Sequence, residues 1–249
     1  MDIGTIITLV LSGILVGVIN TFAGAAAVIT ISLFSFLGLP LSVSNATNRI
    51  PVIFQTVTMT LGFMRQGLVD FSLALKLSIP TVIGAIVGSE FVSRINNTFF
   101  VLLLIGVLVL LFTMLLFDPT KALKGRENAG HPRAIHYVLL LGIGFYGGAF
   151  HIGVGYLFLS LLIMGMGYNL LQANAMKGFI VLIYTIFSLA VFALNGEINW
   201  GYGLVHGVGN VIGAYFATRY ATHIPVSVLR YALLVFIGLT IIYLFFEKI

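Results

Sequence analysis

The chain has 249 residues, 60% of them hydrophobic and only 8% charged, with a formal net charge of +5 and a mean hydropathy of +1.15. A water-soluble domain carries roughly 25% charged residues, and a disordered chain needs low hydrophobicity with high charge, so both classes are excluded. There is no cysteine, which removes disulfides, thiolate metal sites, iron–sulfur clusters and catalytic thiols.

A membrane-spanning helix needs about 20 apolar residues. In chain order, apolar runs at 3–22, 50–64, 72–92, 98–117, 134–150, 177–194, 200–219 and 226–246 predict spans. Shorter runs at 24–38 and 152–167 follow the first span of each half. None alternates as a barrel strand would, so the expectation is an all-α, polytopic helical membrane protein. Met1 and Asp2 enter the first run without the basic region of a cleavable signal, so that run reads as a retained helix.

Residues 118–133 form the one water-loving stretch. Lys121, Lys124, Arg126 and Arg133 outnumber Asp118 and Glu127, and Pro119, Gly125, Gly130 and Pro132 break any helix. The chain thus divides into a first transmembrane repeat, 1–117, a linker loop, 118–133, and a second repeat, 134–249. The positive excess of the linker predicts that it lies in the cytoplasm. As a charged loop it needs no further role.

The halves resemble each other at a spacing of about 128 residues. Gly17 to Leu33 matches Gly144 to Leu161, Arg65 to Phe71 matches Leu194 to Trp200, and Gly84 to Gly88 matches Gly213 to Ala217. This register sets Glu90 opposite Arg219. If the short runs count as crossings, each half has about five helical segments and the repeats are inverted, with broken helices near the midplane. Arg65, Lys121, Lys124, Arg126, Arg133, Arg219 and Arg230 then share one side, against Arg94 and Lys248. If the short runs dip in and return, that bias weakens.

Ionisable residues inside spans cost about 2.5–3.5 kcal/mol on insertion and are functional by default. Arg49 and Lys177 occupy equivalent places in the repeat. Asn45, Thr47 and Asn48 flank one; Gln172 and Asn174 flank the other. Two cations with neutral donors and no acid make an anion site. The small-residue breaks at Gly24, Ala25 and Ala26 and at Gly153, Val154 and Gly155 would let an anion reach backbone N–H groups at a helix start. His151 lies at the second break. His206 and Asn210 read as a proton relay or as structural polar residues, and Gln55, Tyr146 and Tyr184 as candidate cavity liners. The competing readings are plainer: cations snorkelling to headgroups, amides capping helices, and Gly84, Gly88 and Gly213 permitting close helix packing.

No metal-ligand set, cofactor motif or nucleic-acid motif occurs, and no phosphate-binding loop makes ATP the direct fuel. The expected partners are a small anionic substrate and the lipid bilayer, and the expected activity is not enzymatic. A haem or quinone oxidoreductase would need facing histidine pairs, and these do not recur in the repeat. A membrane scaffold would not need buried cations.

The same residues resemble the sulfite exporter TauE/SafE family. The matching segments are F-A-G-A-A-A-V-I-T-I-S-L, G-L-P at Gly38 to Pro40, and N-A-T-N, then in the second copy F-H-I-G-V-G-Y-L-F-L-S-L, Q-A-N-A-M-K and N-G-E-I-N-W. The resemblance covers about 5–246. It implies a multi-pass protein of the cell (inner) membrane that moves sulfite, thiosulfate or organosulfonates such as sulfoacetate. Two departures stand out. The usual glycine triplet is Ala25-Ala26-Ala27 in one half and Gly153-Val154-Gly155 in the other, and Ser32 and Ser160 stand where proline is common. The added methyl groups narrow the site.

Overall fold

The computed structural model describes residues 1–22, 24–116, 131–220 and 226–247, so the linker lies outside the described residues except at 131–133. Those residues form helices and no strand. The first half contains α1 (Ile3–Phe22), α2 (Ala27–Phe36), α3 (Leu41–Thr47), α4 (Arg49–Met64), α5 (Phe71–Arg94) and α6 (Asn97–Leu116). The second contains α7 (Ala134–Ala149), α8 (Val154–Ser160), which runs on into a π-helical turn at Leu161–Gly165, α9 (Leu170–Leu194), α10 (Trp200–Arg219) and α11 (Val226–Glu247). Among the described residues, α1, α5 and α9 are each long and apolar enough to cross a membrane. The outer surface is apolar, with Leu11, Ile79 and Leu239 all about 60% exposed, as lipid contact requires.

Short polar residues start the helices. The carboxylate of Asp70 accepts from the N–H of Leu73, and the amide oxygens of Asn169 and Asn199 accept from Gln172 and Tyr202. Each of these bonds satisfies one of the free donors of a first turn. Gly67 and Gly196 follow α4 and α9 with positive φ of 68° and 72°, which glycine alone adopts without strain.

Two boundaries differ from the sequence expectation. Helix α9 begins at Leu170, not at 177, because Asn169 caps it and the polar Gln172 and Asn174 belong to its first turns. Lys177 therefore sits two turns inside the helix. In the first half the equivalent stretch is broken into α3 and α4. Pro51 has no N–H for the carbonyl of Thr47, and the chain resets at Asn48.

The packing reveals the direction of each helix. A Cβ on Gly13 would meet the carbonyl of His206 at 2.4 Å, and one on Gly17 that of Asn210 at 2.5 Å. Gly209 and Gly213 in turn face the carbonyls of Val10 and Ile14 at 2.2 and 2.1 Å. The contacts climb both helices together, so α1 and α10 run parallel. The same row recurs between α7 and α5: Gly144 and Gly148 face Thr81 and Ala85, and Gly84 and Gly88 face Leu141 and Phe145, at 2.0–2.2 Å. Small residues are what bring membrane helices this close.

Matching the rows corrects the repeat register by one helical turn. Gly13 corresponds to Gly144 and Gly17 to Gly148, while Gly84 and Gly88 correspond to Gly209 and Gly213. Glu90 accordingly stands opposite Tyr215, and Arg94 opposite Arg219. Glycines and alanines recur at both three- and four-residue intervals here, so their letters alone fit either turn.

Further contacts complete the topology. Gly203, Gly207 and Thr218 on α10 meet Ile50, Phe54 and Gly62 on α4, so these run parallel. Phe71 touches Phe179 at the start of α5, and Asn195 reaches Glu90 near its end, so α5 and α9 are parallel. Helices α4 and α9 are antiparallel. Met59 and Phe63 cluster with Ala175 and Leu171, while Val52 joins the cluster of Val181 and Tyr184. The halves thus run in opposite senses, an inverted repeat. Each half's first helix is clasped by the other half's penultimate one. At the edge, α6 and α11 pack together, and Ser32 holds Thr240 at 3.0 Å.

Candidate functional site

The broken helices meet at the molecular centre. Gly24 and Gly155 touch backbone to backbone. A Cβ on either would lie 2.5 Å from the other's Cα, and the N–H of Gly155 donates to the carbonyl of Gly24 at 3.3 Å. In the corrected register these two glycines are each other's counterpart, so the pseudo-twofold axis passes between them.

Paired polar residues flank the axis. The amide of Asn20 donates to Gln55 at 3.3 Å, and His151 pairs with the hydroxyl of Tyr184 at 2.9 Å. Asn20 corresponds to His151 by the same register. The two bonds are one architectural contact made with different side chains.

Lys177 comes to this place from α9. It is 3% exposed. Its ammonium donates to the carbonyls of Asn20 and Thr21 at 3.4 and 3.2 Å and to Asn174 Oδ1 at 2.7 Å. Those carbonyls are the C-terminal end of α1, where the helix dipole favours a cation. Arg49 makes a comparable reach from the other half, about one turn earlier on its target helix. Its Nη2 donates to the carbonyl of Gly148, near the end of α7, at 2.7 Å, and Asn45 beside it donates to Ala149 at 2.8 Å. The guanidinium lies 5.3 Å from the ring of Phe192. Each half thus sends one cation to the end of the other half's first helix.

A narrow cavity, with room for little more than a water molecule, lies on the axis. Of the residues singled out from sequence, Lys177, Gly24, Val154, Gly155, His151 and Gln55 line it. Arg49, Asn45, Thr47, Asn48, Gln172, Asn174, Ala25, Ala26 and Gly153 do not. Thr47 accepts from the N–H of Asn199, and Asn174 holds Lys177. The N–H of Ala26 is taken at 2.7 Å by Asn20 Oδ1, and Gly153 is packed under Leu111. Tyr146 donates to the carbonyl of Ile152, and Tyr184 reaches the cavity through His151. Asn20, Thr56, Met59, Val52, Gly178 and Val181 complete the lining and were not anticipated. A lone Asn at the end of an apolar run resembles a helix cap, so only the repeat register marks Asn20.

No carboxylate lines this cavity among the described residues. It offers an ammonium, two amides, a hydroxyl and an imidazole, groups able to donate hydrogen bonds to a small anion, and it holds no cluster of metal ligands among the described residues.

The family model of the sulfite exporter TauE/SafE proteins matches residues 9–244. The chain belongs to that family. Among similar proteins, a "Probable membrane transporter protein ORF9" of a Sinorhizobium species is 25% identical, over 86% of this chain and 82% of its own. A "Probable membrane transporter protein" of Haemophilus influenzae is 25% identical over 88% and 87%, and YunE of Bacillus subtilis, with the same description, is 27% identical over 81% of each. No solved structure matches the chain. Family membership and apolar helices together make this TauE/SafE chain an integral membrane protein of the transporter class.

Proposed function

We propose that this chain carries a small sulfur-containing anion, of the sulfite, thiosulfate or organosulfonate class, across the cell's inner membrane. It acts as a secondary transporter or facilitator, and the 118–133 linker faces the cytoplasm between the repeats 1–117 and 134–249. The observation that carries this reading is the axial cavity: one buried ammonium with neutral donors and no acid. A sulfonate or sulfite presents three oxygens, which Lys177 would meet by exchanging one or more of its bonds to Asn20, Thr21 and Asn174, with the amide N–H groups of Asn20 and Gln55 alongside. Arg49, outside the cavity, supplies the equivalent cation from the other half when the repeats rock about their axis.

The test is transport in proteoliposomes. Lys177→Gln keeps size and hydrogen bonding but removes the charge. It should insert normally and lose at least tenfold of the flux of sulfite, thiosulfate or sulfoacetate, the expected result of deleting a charge-assisted contact. Full flux in both Lys177→Gln and Arg49→Gln proteins would end the proposal, as would a wild type that moves none of the three anions.

A further inference from the structure

A second cationic place lies away from the axis. Helices α4 and α10 run parallel and end side by side, and between their last turns a groove of about 880 Å³, counting its open side, is lined by Leu61, Arg65, Gln66, Tyr215, Thr218 and Arg219. Gly62 lets the helices close at its floor, where an added Cβ would come within 2.9 Å of the Thr218 hydroxyl.

The inverted repeat supplies a built-in comparison. The counterpart of this groove is the other end of the molecule, where α9 and α5 end together. There Arg94 is neutralised by Glu90 four residues earlier, with Nε at 2.7 Å from the carboxylate, and Glu197 stands close by on Ser93 at 3.0 Å. In the groove, the corresponding pair is Arg219 and Tyr215. The guanidinium donates to a phenol at 3.0 Å, and no charge is cancelled. Arg65 adds a second guanidinium, and among the described residues no carboxylate pairs with either. Among the described residues, two parallel helix ends at this face thus carry two arginines that no carboxylate meets, and the matching helix ends at the other face carry one, Arg94, paired with Glu90.

The surroundings narrow the class of ligand that would fit. The groove borders the apolar outer surface: Leu61 and Tyr215 in its lining, and Phe216 next to Tyr215, are each about half exposed. An anion that rests on the arginines must bring apolar matter to cover that surface. Basic pockets between helices at one membrane face take the headgroups of acidic lipids, and guanidinium forks match phosphate oxygens in pairs.

We propose that the groove between the ends of α4 and α10 binds an anionic phospholipid, with its phosphate on Arg65 and Arg219 and an acyl chain along Leu61 and Phe216. Gln66 and the Tyr215 hydroxyl stand beside the phosphate to meet a headgroup hydroxyl. The site is separate from the axial cavity and holds whether or not that cavity carries a sulfur anion.

The test uses the full-length protein purified in a neutral detergent. Thermal unfolding and native mass spectrometry are followed against added phosphatidylglycerol, phosphatidylcholine and soluble glycerol phosphate. Phosphatidylglycerol should raise the unfolding midpoint and remain bound in the gas phase; the other two should do neither. Arg65→Gln and Arg219→Gln should each weaken the apparent affinity about fivefold, and the double variant about 25-fold. Arg94→Gln, which removes a cation at the opposite face, should leave the response intact. Arg65→Lys and Arg219→Lys should recover part of it, which also covers a double variant too unstable to purify. An equal response to phosphatidylcholine, an equal response to glycerol phosphate, or an undiminished response in the Arg→Gln proteins would each overturn the proposal.

Discussion

Arg49 is wholly buried, and of its guanidinium nitrogens only Nη2 has a hydrogen-bond acceptor; Nε and Nη1 have none. Lys177 differs, because three oxygens surround its ammonium. A buried donor left without an acceptor is costly, and the ring of Phe192 and the dipole at the end of α7 offset only part of that cost. Arg49→Gln should therefore lower folding stability by only about 1.5–3 kcal/mol, the worth of one hydrogen bond to a charged group. The measurement is thermal or detergent-induced unfolding of the purified protein. A loss well above that would mean that Arg49 organises far more than the end of α7. Both cations were legible in the sequence, because each is a charge at the very start of an apolar run. Their acceptors were not, since these are main-chain carbonyls of Gly148, Asn20 and Thr21, and no side-chain letter encodes them.

At the scale of whole helices, the two glycine rows are the main joints between the halves. Gly144 and Gly142 lie on the same helix, yet a Cβ at Gly144 would strike the carbonyl of Thr81, and one at Gly142 would meet nothing within 4 Å. Gly144→Ala should cost about 1–3 kcal/mol by forcing α5 and α7 apart. Gly142→Ala should leave the unfolding midpoint unchanged or raise it slightly, since alanine is the better helix former. Equal effects of the two would deny the tight α5–α7 contact. Span positions could be read from apolar runs, and 200–219 matches α10 at both ends. The reading failed where polarity points inward. Gln172, Asn174 and Lys177 made the first turns of α9 look like a loop, and Pro51 divided its counterpart into two pieces.

Across the whole molecule, parallel and antiparallel contacts place Gln66 at one face and Asn195 at the other. The chain has no cysteine of its own, so single probes can be introduced cleanly. Gln66→Cys and Asn195→Cys, both at exposed turns, should react with a membrane-impermeant thiol reagent from opposite sides of sealed vesicles. Labelling of both from one side would contradict the inverted topology. That inversion was the expectation from the duplicated motifs if the short runs count as crossings, which makes about five segments per half. The register was not legible, since it depends on which turn of one glycine row faces which carbonyl of another.

The contact of Gly24 with Gly155 has a mechanical consequence. Two backbones that touch with no side chain between them form a fulcrum, and a body that tilts about a central fulcrum must lower one end as it raises the other. Neither glycine can gain a methyl group without prising both halves off that support, so the duplicated halves of this chain are not free to drift apart there independently.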